Sequence, residues 1–104
     1  MKTFGYSIIH HDGRLLSRLD IKTVAAGREI DVEFERDFCR SLSTKKLKQM
    51  REIHYLLSEA FPGNSFAIVQ ITWRRGRFVV NLPDGDRPSW ISKAVESLGG
   101  KLIA

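Results

Sequence analysis

The chain has 104 residues, 17 Lys plus Arg against 12 Asp plus Glu, and a formal net charge of +5 at pH 7. Its hydrophobic fraction of 42% and charged fraction of 28% suit a globular chain with one modest core, which excludes wholesale disorder and a two-domain reading. A lone cysteine, Cys39, excludes an intrachain disulfide framework and a zinc site built on cysteine pairs. Beside Phe38 it reads as a small buried hydrophobe.

No apolar run reaches the roughly 18–20 residues needed to cross a bilayer. His10, His11 and Asp12 interrupt the start too early for a secretory signal. The expectation is one domain over residues 1–104 in the cytoplasm, with no membrane partner. Within it, residues 1–26 form an N-terminal hairpin and residues 27–104 the body.

Thr3 to Ile9 is rich in aromatic and β-branched residues and predicts a strand. His11-Asp12-Gly13 supplies a turn, with Gly13 able to take positive φ. Leu15 to Val24 is the expected return strand. Ala25-Ala26-Gly27 is the next break.

Residues 28–38 carry the cleanest alternation. Ile30, Val32 and Phe34 interleave with Glu29, Asp31, Glu33 and Glu35. A period of two predicts a half-buried strand with a wet acidic face. Ser43 is the expected N-cap of a helix over Thr44 to Ala60. Leu47, Met50, Ile53, Leu57 and Ala60 form its apolar stripe, and Pro62-Gly63-Asn64 stops it.

Ser65 to Trp73 reads as a strand with Phe66 and Ile68 on one face and Ala67, Val69, Ile71 and Trp73 on the other. That near-continuous apolarity suggests a central strand covered on at least one face. A short connection, Arg74-Arg75-Gly76-Arg77, joins it to Phe78–Leu82 as an antiparallel hairpin. Asp86 is the expected cap of a second helix, with Pro88 in its first turn and Trp90, Ile91, Ala94, Val95 and Leu98 as its stripe. Gly99-Gly100 ends it, and Lys101–Ala104 reads as a short edge strand.

The fold class is α+β. From residue 28 onward the order β-α-β-β-α-β is that of a ferredoxin-like split βαβ domain, preceded by the N-terminal hairpin. A competing arrangement leaves residues 101–104 as a tail and packs both helices on one face of the sheet.

Arg74, Arg75 and Arg77 cluster at a hairpin tip, where guanidinium forks suit phosphate oxygens. Flanking Trp73 and Phe78 either stack on bases or point into the core. Lys45, Lys48 and Arg51 form a second basic set at three-residue spacing on the first helix, with Lys46 turned further round. Cations in the first turn of a helix oppose its dipole, so stability alone does not select them. The acidic strip of Glu29, Asp31, Glu33 and Glu35 repels phosphate and suits a protein interface or cross-strand partners such as Arg14, Arg18 and Lys22. Charged edge strands discourage self-pairing, which favours a monomer over a homodimer.

His10 and His11, adjacent on a strand, face opposite ways unless the turn begins early. His54 reads as a boundary histidine at the core's edge. No phosphate loop, dinucleotide fingerprint or calcium loop is present, and the reading leans away from an enzyme. It expects no cofactor and no metal. The leading expectation is a small non-enzymatic nucleic-acid-binding or accessory protein using Arg74, Arg75 and Arg77 with Lys45, Lys48 and Arg51. RNA and DNA are not distinguished. The alternative is a protein-interaction module, such as an inhibitor, immunity factor or adaptor, using the charged patches against an oppositely charged partner.

Overall fold

The structure is a computed structural model that describes residues 2–16, 23–24, 26–27, 44–83 and 85–103. The acidic strip of residues 29–35, Cys39, the proposed cap Ser43 and the candidate partners Arg18 and Lys22 lie outside the described residues. So does most of the expected return strand beyond Leu16, and its last two residues, Thr23 and Val24, are helical and not extended.

The elements bounded within the described residues run in the order β1 (Lys2–His10), β2 (Arg14–Leu15), α1 (Thr44–Ala60), β3 (Phe66–Arg74), β4 (Arg77–Asn81), α2 (Ile91–Ser97) and β5 (Lys101–Leu102). They form an α+β fold with one mixed sheet in the order β2-β1-β3-β4-β5. β1 pairs antiparallel with β2 and β3, β3 pairs antiparallel with β4, and β4 pairs parallel with β5.

This pairing differs from the split βαβ expectation. That arrangement puts the strand after the first helix at an edge and keeps the last strand away from the hairpin. Here β3 is central, between β1 and β4, and β5 pairs with β4 directly. The N-terminal strand is the reason. Its nine residues alternate in step with β3, from Lys2 opposite Trp73 to His10 opposite Phe66, with one register shift between Thr3 and Gly5.

Alternation along β3 sorts the core into two layers. Ala67, Val69 and Ile71 join Ile9, Val80 and α2's Ile91, Ala94 and Val95 on one face. Ile68 joins Ile8, Leu16 and α1's Met50, Ile53 and Leu57 on the other. The helices therefore cover opposite faces of the sheet, not one face. A strand apolar on both sides requires that, because either face left open would wet a row of buried-type side chains.

The expected bounds of α1 hold, and its stripe is buried at Met50, Ile53 and Leu57. Ala60 is exposed. The second helix starts later than expected. Trp90 occupies its N-cap position without a side-chain cap bond, and the amide of Ile91 donates to the carbonyl of Pro88. Asp86 is exposed and remote from the helix start. Pro88 disfavours helical backbone at Arg87, which delays the first turn. At the other end, the amide of Gly99 donates to Glu96 and that of Gly100 to Val95, with Gly99 at φ +77. These two bonds make a Schellman closure, as the paired glycines suggested.

The β1–β2 turn is tied to α2. Gly13 stands at φ +93, and a Cβ there would run into the Ser97 hydroxyl. Gly13→Ala is expected to lower stability by about 1–3 kcal/mol, combining left-handed backbone strain with that collision. Denaturant melts of the two proteins check it, and a variant within about 0.5 kcal/mol of the parent would contradict the contact.

Candidate functional site

The β3–β4 connection is a two-residue turn. Arg74 pairs with Arg77 across the ladder, leaving Arg75 at φ +54 and Gly76 at φ +75. Two successive positive φ values are the type I′ geometry that matches the twist of an antiparallel ribbon. Arg75 is the one non-glycine residue with positive φ among those described. The turn ordinarily takes Asn or Gly there, because a side chain with Cβ costs about 1–2 kcal/mol in the left-handed region. Arg75 and Arg77 are exposed. Phe78 packs half-buried against the α2-side core, so its ring serves the core and not a stacked base.

Chain reversal sets the turn's relation to α1. Only residues 61–65 separate α1 from β3, and Leu57 and Ile68 share one core cluster. The helix thus runs back along the strand. Its 17 residues at about 1.5 Å each nearly match nine strand residues at about 3.3 Å. The start of α1, with Lys45, therefore lies toward the end of the sheet that carries the arginine turn. Arg77 is the ladder partner of Arg74 at this end.

Lys48 lies in the half of α1 nearer the turn and Arg51 near the helix middle, and neither shares one plane with the turn. Lys48 is exposed and about 160° round the helix from buried Met50, counting 100° per residue, so it points away from the sheet. Arg51 is exposed on the flank. Lys48, Arg51, Glu52, Tyr55 and Leu56 line a shallow outer groove. Tyr55 donates to Glu59 at 3.0 Å, and that bond raises the phenol's pKa.

A second constellation lies at the opposite end of the sheet, and sequence reasoning did not assemble it. His10 is buried, and its Nε2–H donates to Oδ1 of Asn64 at 2.8 Å. Its Nδ1 faces the Asp12 carboxylate at 2.8 Å and the Asp12 amide at 3.2 Å. A proton on Nδ1 donates to the carboxylate, and a bare Nδ1 accepts from the amide. Arg14 Nε lies 3.7 Å from the other carboxylate oxygen. His11 stacks on His10 with ring centroids 4.1 Å apart, because the turn begins at His11 and frees its side chain from strand alternation. The Nδ1 of His11 accepts from the Ser65 amide at 2.9 Å, which commits that lone pair to the fold.

His54 is half-buried, and its Nε2–H donates to the carbonyl of Phe66 at 2.9 Å, the boundary role its position suggested. All three histidines thus gather around the first residues of β3. Among the described residues, no group of three His, Cys, Asp or Glu side chains is placed to hold a metal ion. Beside His10 opens a cavity of about 200 Å³, lined among others by Arg14, Leu57, Phe61, Asn64 and Phe66. The local signal for this cluster was the His-His-Asp-Gly turn; Asn64 is 54 residues distant, and only the β1–β3 register brings it in.

Bonding to the His10 ring, the nearby charges of His10 and Arg14, and the Arg14 amide hold the Asp12 carboxyl below its ordinary value of 3.8. A carboxyl depressed in the folded state stabilises the fold above its unfolded pKa, and that contribution is lost as pH falls through the folded value. Thermal stability is expected to decline below about pH 4 more steeply in the parent than in Asp12→Asn. Parallel acid-side slopes in melts of the two proteins would contradict the assignment.

Among the described residues no helix is long and apolar enough to cross a membrane. The chain matches no family model, no curated protein and no solved structure.

Proposed function

We propose that the protein binds nucleic acid, with the β3–β4 turn as its phosphate-gripping element. The observation that carries this reading is Arg75, an arginine held at φ +54 where the turn chemistry favours Asn or Gly. A strained residue at an exposed tip, flanked by Arg74 and Arg77, points to a role beyond folding. The ladder also sets Arg74 directly opposite Arg77, and like charges at such a pair are unfavourable. Both costs have a rationale where phosphate neutralises the cluster. A two-stranded ribbon is also a shape that enters a major groove.

Exposed Lys48 and Arg51 extend the positive surface round the outside of α1, with Lys45 one turn before Lys48 in the sequence. Binding is electrostatic and independent of base stacking by Phe78, and no cofactor or catalytic step is involved. The test is a fluorescence-anisotropy titration with labelled single-stranded RNA, single-stranded DNA and duplex DNA at about 50 and 200 mM salt. Saturable binding that weakens steeply with salt is expected, and the preferred probe names the nucleic-acid class. Absence of saturable binding at the lower salt overturns the reading and leaves an acidic protein surface as the partner for the turn.

A further inference from the structure

We propose that the cavity beside His10 binds a small organic anion with a ring-sized apolar body, an aromatic carboxylate. Size comes first. A cavity of about 150 Å³ is known to accept benzene, so the 200 Å³ here accommodates one ring and a short acidic arm.

The walls sort by chemistry. Leu57, Phe61 and Phe66 supply apolar surface, while His10, Arg14 and Asn64 supply the polar side. Among the described residues the polar lining carries the guanidinium of Arg14 and the imidazole of His10 and no acid, a charge that suits an anion. Asp12 contacts His10 at 2.8 Å and does not itself line the cavity. Its carboxylate comes nearest Arg14 at Nε, 3.7 Å away, rather than at the Nη groups. Those Nη groups form the edge of the guanidinium that takes a carboxylate in two parallel bonds.

Phe61 adds an independent argument. It is 48% exposed just past the end of α1 while lining the same cavity. A ring seated against it covers apolar surface that is otherwise wet. His10 and Asn64 bond each other, so the polar wall stays fixed while the ligand enters. Shared apolar and charged contacts explain why inorganic phosphate alone is a poor occupant: it leaves the three apolar walls unfilled.

The experiment is an NMR amide-shift titration of the whole chain with phenylacetate, phenylacetamide and inorganic phosphate. Phenylacetate is expected to saturate shifts at residues 10–16 and 57–66, with a roughly millimolar Kd for so few atoms. Phenylacetamide, the uncharged isostere, is expected to bind roughly tenfold more weakly, and phosphate not to saturate. Arg14→Gln should bring phenylacetate down to the amide's level and leave the amide unchanged. Phe61→Ala should weaken both. Both positions are solvent-exposed, so neither variant endangers the fold.

The proposal is overturned if phenylacetate fails to saturate by about 20 mM. Shifts that map elsewhere, saturation by phosphate at the same amides, or indifference to Arg14→Gln overturn it equally. An oligonucleotide titration reads amides of the β3–β4 turn at the other end of the sheet, so failure of one proposal leaves the other standing.

Discussion

The variant carrying Arg74→Gln, Arg75→Asn and Arg77→Gln is expected to bind nucleic acid roughly tenfold to hundredfold more weakly than the parent at about 50 mM salt. Each cation that neutralises a phosphate contributes about 0.7–0.9 to the slope of log K against log salt. Removing three therefore flattens the slope by about 2–3. The substitutions are chosen to keep the fold. Asn tolerates the positive φ at position 75 better than Arg, and the change removes a like-charge pair opposite each other in the ladder. Thermal stability is expected to be unchanged or slightly higher, so weaker binding reports lost charge and not unfolding. Arg75→Asn alone should lower the slope by about 1. An unchanged slope in the triple variant would remove the turn from the interface and return the cations to the role of a solvated hairpin end.

Truncating the core should have the largest effect on stability. Ile53 is fully buried on the α1 side and Val95 on the α2 side. Ile53→Ala is expected to cost about 2–5 kcal/mol, because it loses transfer energy and leaves a void. Against a total stability of about 5–15 kcal/mol that is a large fraction, and the midpoint should fall by roughly 10–30 °C. Val95→Ala deletes less volume and should cost about 1–3 kcal/mol. The two residues sit in separate clusters with the sheet between them, so their effects are expected to add within about 0.5 kcal/mol. Denaturant melts of the two single variants and the double variant check this. Strong non-additivity would mean that the helices share one core, as the one-face alternative requires.

Periodicity alone determined several local elements of this protein. The stripe at Met50, Ile53 and Leu57 spells a helix with the observed bounds. Gly76 between arginines spells a tight hairpin, and Gly99-Gly100 spells a helix end. These signals are local, because hydrogen bonds four residues apart or across a two-residue turn depend on nearby side chains. Near-continuous apolarity in β3 also showed that it was central.

Which strand lies beside β3, and on which face each helix packs, were decided only by the tertiary structure. Both the N-terminal segment and residues 28–38 carried strand patterns, and alternation gives a strand no preferred neighbour. The observed choice pairs β1 with β3 over nearly its whole length, which moves the chain away from the split βαβ order. The late start of α2 is of the same kind: Asp86 offered a cap, but Pro88 set the backbone first. The histidine cavity was the least legible feature. His10, Arg14, Leu57, Phe61 and Asn64 each have ordinary local roles, and their meeting depends on the β1–β3 register and the reversal at residues 61–65. A site assembled from three distant segments leaves no spacing in the sequence, since its geometry exists only once long-range pairing has brought those segments together.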